Sequence, residues 1–357
     1  MLDMPTLGRS RSRRRRRVVP VVLALIVVGG GLASWRLMAA RDAETSPPSP
    51  PAPVPSVAAQ AASAQAAARP TTEAPPAAGA TDDPLPATGM RYAQVVVAGP
   101  LETAFVTALG RDLGAPLTQV VTRTIVWWVS VPADLRRGDV VEALFSERPG
   151  AEPLVHAVRF RSEKAGKTFE AYRFQEPGAA FARFYTRDGN ELELRLKDAP
   201  IEDHEQVTSL IRDGRGHQGV DFRTPVGTPV KATFDSVVAR RNWNFRANGN
   251  CLELHERGGA ARTVYLLHLS EVSGDLKVGD RVAKGQVVAR SGNTGHSFAP
   301  HLHYQLMTRA GKVLDPFVAQ PAARRSMPEA HRAAFDAEAS RLAALLDRSA
   351  PTSPARP

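Results

Sequence analysis

Cysteine is nearly absent from the sequence, since Cys251 is the only one among 357 residues. A lone cysteine excludes an internal disulfide framework and any zinc site built from several thiolates. A broad excess of positive charge is missing as well. The formal net charge is +10, but the seven arginines and one aspartate of residues 1–17 supply about +6 of it. The rest of the chain is nearly balanced, which argues against nucleic acid as a partner.

Uncharged apolar runs are short except in residues 18–35, which read VVPVVLALIVVGGGLASW. This length is near the lower limit for a membrane-spanning helix, and residues 37–40 can extend it. Arginines on its N-terminal side predict that this end stays in the cytoplasm. We therefore expect a basic cytoplasmic segment at 1–17 and a single-pass transmembrane anchor at 18–40. The remainder would lie on the extracytoplasmic, periplasmic side of the cytoplasmic membrane. The alternative is a cleaved signal peptide.

Two further segments precede the histidine-rich part of the chain. Residues 41–90 are dominated by alanine and proline, which predicts an extended linker without a core. Residues 91–200 contain apolar runs separated by turn signals, which predicts an α+β accessory or regulatory domain. The helices expected in this domain are 101–109 and 117–124, and the expected strands are 92–98, 125–131, 139–145, 154–162, 168–174 and 180–185.

Histidines are concentrated further along, where seven of the nine lie in residues 204–303. In the phrase GHQGVDF, His217 and Asp221 are four residues apart in a glycine-bent loop that leads into a predicted strand. In the phrase PHLHYQL, His301 and His303 flank one leucine. On a strand these two imidazoles share one face.

A third phrase, YLLHLS, ends a predicted strand with His268. Imidazole nitrogens and carboxylate oxygens are ordinary zinc ligands, and catalytic zinc keeps three protein ligands and one open position. One aspartate and several histidines in a β-rich domain supply such a set without cysteine. The three phrases together therefore predict a metal centre.

The segment from 204 to 316 is similar to the lysostaphin/LytM-type zinc metallopeptidases of cell-wall remodelling. The phrases that carry the resemblance are GHQGVDF, YLLHLS, SGNTG and APHLHYQ, in this order. The resemblance implies that His217, Asp221 and His303 bind Zn²⁺. It implies that His268 and His301 are the catalytic histidines beside the scissile carbonyl, and it leaves open which one is the base. It also implies peptidoglycan stem peptides as the substrate, with the particular cross-link undetermined.

An internal repeat and a terminal helix complete the predicted fold. The pattern VGTPV…VVA in residues 226–239 is echoed by VGDRV…VVA in residues 278–289. Two such units predict a duplicated β-hairpin, barrel-sandwich-like architecture for the metallopeptidase domain, at 201–320. The spacing Ser326-x-x-Glu329 predicts a capped helix in the segment 321–357, either packed or free to bind a partner. The expected fold class is a mainly β catalytic domain preceded by an α+β domain, between a transmembrane helix and a C-terminal helix.

Two functions follow from these expectations. The first is a membrane-anchored zinc endopeptidase that hydrolyses the peptide cross-links of peptidoglycan. The alternative is a non-enzymatic or latent envelope regulator that activates other cell-wall hydrolases through its LytM-like domain. In the latent version, the accessory domain or the linker would hold the enzyme inactive until a partner, such as an envelope protein that regulates it, binds. Loss of metal ligands is expected of the non-enzymatic class, whereas this sequence has a ligand residue at all three positions. A latent enzyme would keep them.

Overall fold

The computed structural model describes residues 83–85, 88–211 and 216–350. The predicted cytoplasmic segment at 1–17, the transmembrane helix at 18–40 and most of the linker at 41–90 lie outside these residues. Within the described ranges, no helix combines the length and the apolar character needed to cross a membrane. This described part is mainly β, with strands that pair antiparallel throughout.

A six-stranded sheet with its strands in chain order forms the accessory part of the protein. The strands are β1 (Asp83–Leu85), β2 (Met90–Val96), β3 (Val140–Ser146), β4 (Leu154–Ser162), β5 (Lys167–Phe174) and β6 (Arg183–Tyr185). Between β2 and β3 the chain forms the helices α1 (Leu101–Leu109) and α2 (Arg111–Ile125). Both helices pack on one face of this sheet, where Phe105, Leu117 and Val121 are fully buried.

The second helix of this pair differs from the prediction. It begins at Arg111 rather than at 117. Gly114 does not interrupt the helix, because it lies where α2 contacts α1 and the contact leaves no room for a side chain. A Cβ atom on Gly114 would lie 2.5 Å from the carbonyl oxygen of Phe105. The strand predicted at 125–131 is wrong. The N–H groups that follow α2 donate to carbonyls of its last turn, so the chain turns there without a partner strand.

The opposite face of the six-stranded sheet is covered from the far end of the described chain. The covering helix runs from Glu329 to Ser349 and will be called α5. The fully buried residues of this contact include Phe335, Leu342, Leu346, Tyr92 and Tyr185. The C-terminal helix is therefore packed. The predicted capping role of Ser326 is wrong, because no side chain caps the helix and Ser326 Oγ donates to Asn190 instead.

The second half of the described chain forms two larger sheets and one two-stranded sheet around one core. Its elements in chain order are β7 (Arg195–Leu196), β8 (Gln206–Ser209), β9 (Val220–Arg223), β10 (Pro229–Lys231), β11 (Ser236–Arg241), α3 (Phe245–Asn248), β12 (Asn250–Glu256), β13 (Arg262–Leu269), β14 (Glu271–Val272), β15 (Arg281–Val282), β16 (Val287–Arg290), β17 (His301–Thr308), β18 (Val313–Leu314), α4 (Pro316–Ala319) and β19 (Ala322–Ala323). The larger sheet has the order β15-β11-β12-β13-β17-β9-β8, with β18 also paired to β17. The smaller sheet has the order β10-β16-β14, and β7 pairs with β19.

The two sequence repeats exchange strands. β10 of the first repeat pairs with β16 of the second, and β15 of the second pairs with β11 of the first. Equivalent valines of the two repeats are buried together in the core, namely Val230, Val238, Val282 and Val288. Each repeat thus contributes one strand to each sheet, and neither hairpin is complete without the other.

Glu152 connects the accessory part to the larger sheet of the second half. Its carboxylate accepts hydrogen bonds from Arg123 of α2 at 2.7 and 2.9 Å and from Arg223 of β9 at 2.7 Å. The bonds from Arg123 contribute most to lowering the pKa of Glu152 to about 2, against the opposing effect of burial, and Arg223 adds to them. The carboxylate is therefore ionised at neutral pH, and it contributes to the contact between the two parts as a charged group.

Replacing Glu152 by glutamine should destabilise the protein in a pH-dependent way. The folded pKa of about 2 lies below the ordinary value of 4.5, so the carboxylate contributes stability above that value and loses it as the pH falls toward 2. At neutral pH we expect Glu152→Gln to lower the free energy of unfolding by roughly 1–3 kcal/mol. Urea unfolding should show this difference shrinking as the pH is lowered below about 4.5.

The matched control is Glu202→Gln. Glu202 is highly exposed and pairs only with Lys231 among the described residues, so its removal should have little effect at any pH. A destabilisation by Glu152→Gln that stays constant with pH would show that the residue acts by packing rather than by charge.

Candidate metal centre

The pairing of β9 with β17 places the predicted site residues side by side. In this antiparallel register Asp221 lies directly opposite His303, and Arg223 lies opposite His301. Side chains alternate along β17, so both histidines of this strand face Asp221 while Leu302 between them is fully buried in the core.

Three donor atoms converge at this point. Oδ1 of Asp221 lies 2.9 Å from Nδ1 of His303 and 3.2 Å from Nε2 of His217, and these two nitrogens are 3.0 Å apart. Tetrahedral zinc with bonds of about 2.0–2.1 Å separates neighbouring ligand atoms by roughly 3.3 Å. The spacing and the chemistry of this donor set therefore fit a divalent metal ion. All three predicted ligands meet in one place.

Asp221 supplies the negative charge of the cluster. Burial alone would raise the pKa of its carboxyl group, but hydrogen bonds with His217 and His303 lower the pKa below its usual range. The group is therefore a carboxylate at neutral pH. A bound cation would balance the negative charge of this oxygen, which lies between two imidazoles.

Gly219 has a steric role between His217 and Asp221. A Cβ atom at this position would lie 2.7 Å from Cε1 and Nε2 of His303 and 2.8 Å from the carbonyl oxygen of Tyr304. Its φ angle lies outside the left-handed region, so the requirement for glycine comes from close approach. The loop can pass over the His303 ring only because this residue has no side chain.

The two predicted catalytic histidines form a second group beside the donors. The ring of His268 lies 4.8 Å from the ring of His301 and 6.0 Å from that of His303, measured between centroids. Nε2 of His301 lies 3.8 Å from Oδ1 of Asp221. The structure thus brings all five predicted site residues into one cluster.

Backbone carbonyls set the tautomers of these two rings. Nδ1 of His268 is 2.9 Å from the carbonyl oxygen of Thr294, and Nδ1 of His301 is 2.7 Å from that of Ala299. A carbonyl oxygen only accepts hydrogen bonds, so each Nδ1 carries the proton and donates it. Each neutral ring therefore keeps its lone pair on Nε2. Burial lowers the pKa of His268 to about 4, which keeps this ring neutral at physiological pH.

Thr294 holds the backbone around His268, which has a positive φ angle of 61°. The hydroxyl of Thr294 donates to the carbonyl of Leu269 at 2.6 Å and accepts from the N–H of Asn250 at 3.0 Å. Gly249 also packs here, since a Cβ atom on it would lie 2.2 Å from the Thr294 hydroxyl oxygen. The hydroxyl therefore fixes a conformation that a non-glycine residue rarely adopts.

Sequence reasoning missed two residues that orient the site. Thr294 lies within the phrase SGNTG, which could have indicated it. Ser209 on β8 places its hydroxyl oxygen 2.8 Å from Nδ1 of His217, and no sequence spacing pointed to it. Two other histidines of this part of the chain, His255 and His296, stay outside the cluster. His255 pairs with Glu253 at 2.8 Å, and the ring of His296 packs on Phe298.

Comparison with known proteins identifies the segment that contains this cluster. Residues 215–316 match the profile of peptidase family M23. The match includes the three donors and both further histidines. This segment is therefore similar to an M23-type, LytM-type peptidase domain.

Individual relatives match over different lengths. The chain is 29% identical over 263 residues to the peptidoglycan DD-endopeptidase ShyA of Vibrio cholerae, covering 70% of this chain and 59% of that protein. It is 46% identical over 98 residues to the glycyl-glycine endopeptidase ALE-1 of Staphylococcus capitis, covering 28% of this chain and 26% of that one. A solved zinc-containing peptidase from Vibrio cholerae is 25% identical, with coverage of 64% and 69% and a TM-score of 0.30. The matches thus span less than two thirds of the length of both curated relatives.

Substituting Gly219 by alanine should disrupt the donor cluster without unfolding the domain. The added methyl group overlaps the ring of His303, which must move away from Asp221. We expect metal affinity to fall by at least about tenfold, as is usual when the groups that orient a ligand are disturbed. Competition with a chelator measures this loss.

The control for this substitution is Gly274→Ala. Gly274 has no atom within 4 Å of its would-be Cβ and no positive φ angle, so alanine fits there. Wild-type metal affinity in Gly219→Ala would contradict the steric role assigned to this glycine.

Proposed function

We propose that this protein is a zinc-dependent endopeptidase that hydrolyses peptide cross-links of peptidoglycan. The observation that carries the proposal is the convergence of the donor atoms of His217, Asp221 and His303 beside two histidines whose Nε2 atoms are free to accept a proton. The M23-type domain supports a metallopeptidase activity. The relatives ShyA and ALE-1 are endopeptidases by name, and the former is a peptidoglycan enzyme.

His217, Asp221 and His303 would hold the zinc ion. Three protein ligands are the number typical of catalytic zinc, whereas structural zinc usually has four. A bound zinc ion supplies Lewis-acid chemistry that polarises a peptide carbonyl. The single carboxylate among the donors lowers the net positive charge of the site, so proton transfer by nearby side chains becomes more important.

The proton transfers fall to His268 and His301. Nδ1 of each ring is engaged with a backbone carbonyl, so Nε2 is the atom that can accept a proton from the attacking water. The same atom can return that proton to the amine that leaves when the peptide bond breaks. The carbonyl contacts hold both rings in the required tautomer throughout, and they do not depend on the substrate.

The regulator alternative has less support. A non-enzymatic activator has no need for a complete donor set, yet all three donors and both flanking histidines are present and converge. The nearly balanced charge of the chain beyond residue 17 gives no support to nucleic acid as a partner.

Digestion of purified peptidoglycan by the full-length protein tests this function. We expect released muropeptides with newly cleaved peptide bonds, identified by mass spectrometry, and loss of this activity after chelation. His217→Ala and His303→Ala should lose both bound zinc and activity. His268→Ala should retain about one equivalent of zinc and lose activity by roughly 10²–10⁴-fold, because a proton-transfer group is missing.

A histidine outside the cluster provides the control. His255→Ala removes a partly exposed imidazole that pairs with Glu253, and it should leave both zinc content and digestion unchanged. Full activity in His217→Ala or in His268→Ala would contradict the assigned roles.

We also propose that residues 18–40 anchor the protein in the cytoplasmic membrane, with the peptidase domain on the periplasmic side. The arginines before the apolar run and the position of peptidoglycan outside this membrane support the proposal. The protein should remain in the membrane pellet after alkaline washing, and protease added to spheroplasts should digest the peptidase domain. A soluble chain whose mass lacks the first 40 residues would favour the cleaved signal peptide instead.

A further inference from the structure

Ser209 lies against the outer side of the His217 ring. Its hydroxyl oxygen is 2.8 Å from Nδ1, whereas Nε2 of the same ring faces Asp221 and His303. A neutral imidazole has one protonated and one unprotonated nitrogen. If Nε2 is to offer its lone pair to a cation, the proton must be on Nδ1, which then donates to Ser209 Oγ.

We propose that Ser209 is a positioning residue that fixes the tautomer and the orientation of His217 as a metal ligand. The proposal rests on the metal-binding role of His217 in the function proposed above. Imidazole ligands generally need a partner on their second nitrogen, and the loss of such a partner typically weakens metal binding by about 10–100-fold. Among the described residues, Ser209 provides this partner for His217.

A β-bulge brings Ser209 to the required place. β8 pairs with β9 so that Val207 lies opposite Phe222, but the next pair joins Ser209 to Asp221, which leaves Thr208 as an extra residue. Regular pairing would have placed Thr208 opposite Asp221. Bulges of this kind re-aim a side chain and are common next to active sites. Here the extra residue sets Ser209 beside the strand that carries the carboxylate donor.

Buried polar groups hold β8 in this register from behind. The N–H of Val207 donates to both carboxylate oxygens of Glu193, at 3.1 and 3.2 Å. Glu193 in turn lies 3.2 Å from Nε2 of His204, and Arg195 lies 3.2 Å from Nδ1 of that ring. Both Glu193 and His204 are buried. β8 is the edge strand of its sheet and has a partner strand on one side only. These contacts therefore hold the side of β8 that has no partner strand.

The test compares Ser209→Ala with Ser209→Thr in the full-length protein. Metal is removed, and the affinity for Zn²⁺ is measured by competition with a chelator. We expect Ser209→Ala to bind Zn²⁺ about 10–100-fold more weakly and Ser209→Thr, which keeps the hydroxyl, to stay within a few-fold of the wild type. The absorption spectrum of the Co²⁺-loaded protein should change in the alanine variant alone, because the geometry of the ligand set changes.

Two measurements separate positioning from a merely structural role. The thermal unfolding midpoint of the metal-free Ser209→Ala protein should lie within about 2–4 °C of that of the metal-free wild type, which is the shift expected for one lost hydrogen bond. Ser236→Ala is the matched control, because it removes a buried serine hydroxyl of the same sheet that donates to the carbonyl of Phe234. Its zinc affinity should not change.

Three outcomes would overturn the proposal: unchanged zinc affinity in Ser209→Ala, equal losses in the alanine and threonine variants, or an unfolding midpoint of the metal-free alanine variant that falls by more than the shift expected for one hydrogen bond. The variant His217→Ala distinguishes failure of the proposal about Ser209 from failure of the proposed function. If His217→Ala loses zinc while Ser209→Ala retains it, only the role of Ser209 is wrong. If His217→Ala itself retains zinc, the metal site is wrong.

Discussion

The register between β9 and β17 is the constraint on which the candidate metal centre depends. Asp221 and His303 are 82 residues apart in the chain, and they meet because the two strands pair in one register only. β17 is also fixed on its other side, where His303 lies opposite Leu267 of β13. A slip by one residue would turn His303 toward the opposite face of the sheet and bring Leu302 or Tyr304 to the donors. The burial of these two residues in the core excludes that slip, so the hydrophobic core determines the geometry of the polar site.

Close approach of backbone segments is the second organising feature. The loop that carries Gly219 passes over the ring of His303, and the turn at Gly249 packs on Thr294. The groups that orient His268 and His301 are mainly carbonyl oxygens of the main chain, and at His301 the hydroxyl of Ser297 also lies 3.2 Å from Nδ1. Such acceptors are set by the path of the backbone and do not ionise. The tautomers of both rings consequently depend on the fold itself and are insensitive to solution conditions that would titrate a carboxylate partner.

Local periodicity predicted those parts of the structure that depend on neighbouring residues. The common face of His301 and His303 follows from strand alternation, and the repeats at 226–239 and 278–289 indicated a duplicated β architecture. The run 125–131 was mistaken for a strand because a short apolar run has no period that separates a strand from a helix end with its following turn. The role of Ser209 arises from a bulge between two strands, and a bulge is a property of the pairing. The assignment of Asp221 and His303 to one metal came from the family resemblance, since spacing alone does not bring distant segments together.

The position of α5 has a consequence for the order in which the molecule is completed. The six-stranded sheet is made of early residues, but one of its faces, which contains Tyr92 and Tyr185, is covered by a helix that the ribosome adds after the whole peptidase domain. During synthesis this aromatic face has no cover, whereas every strand of the peptidase sheets has already emerged. The face of the six-stranded sheet that α5 covers can therefore be completed only after all the strands have been synthesised, although this sheet comes first among the described elements.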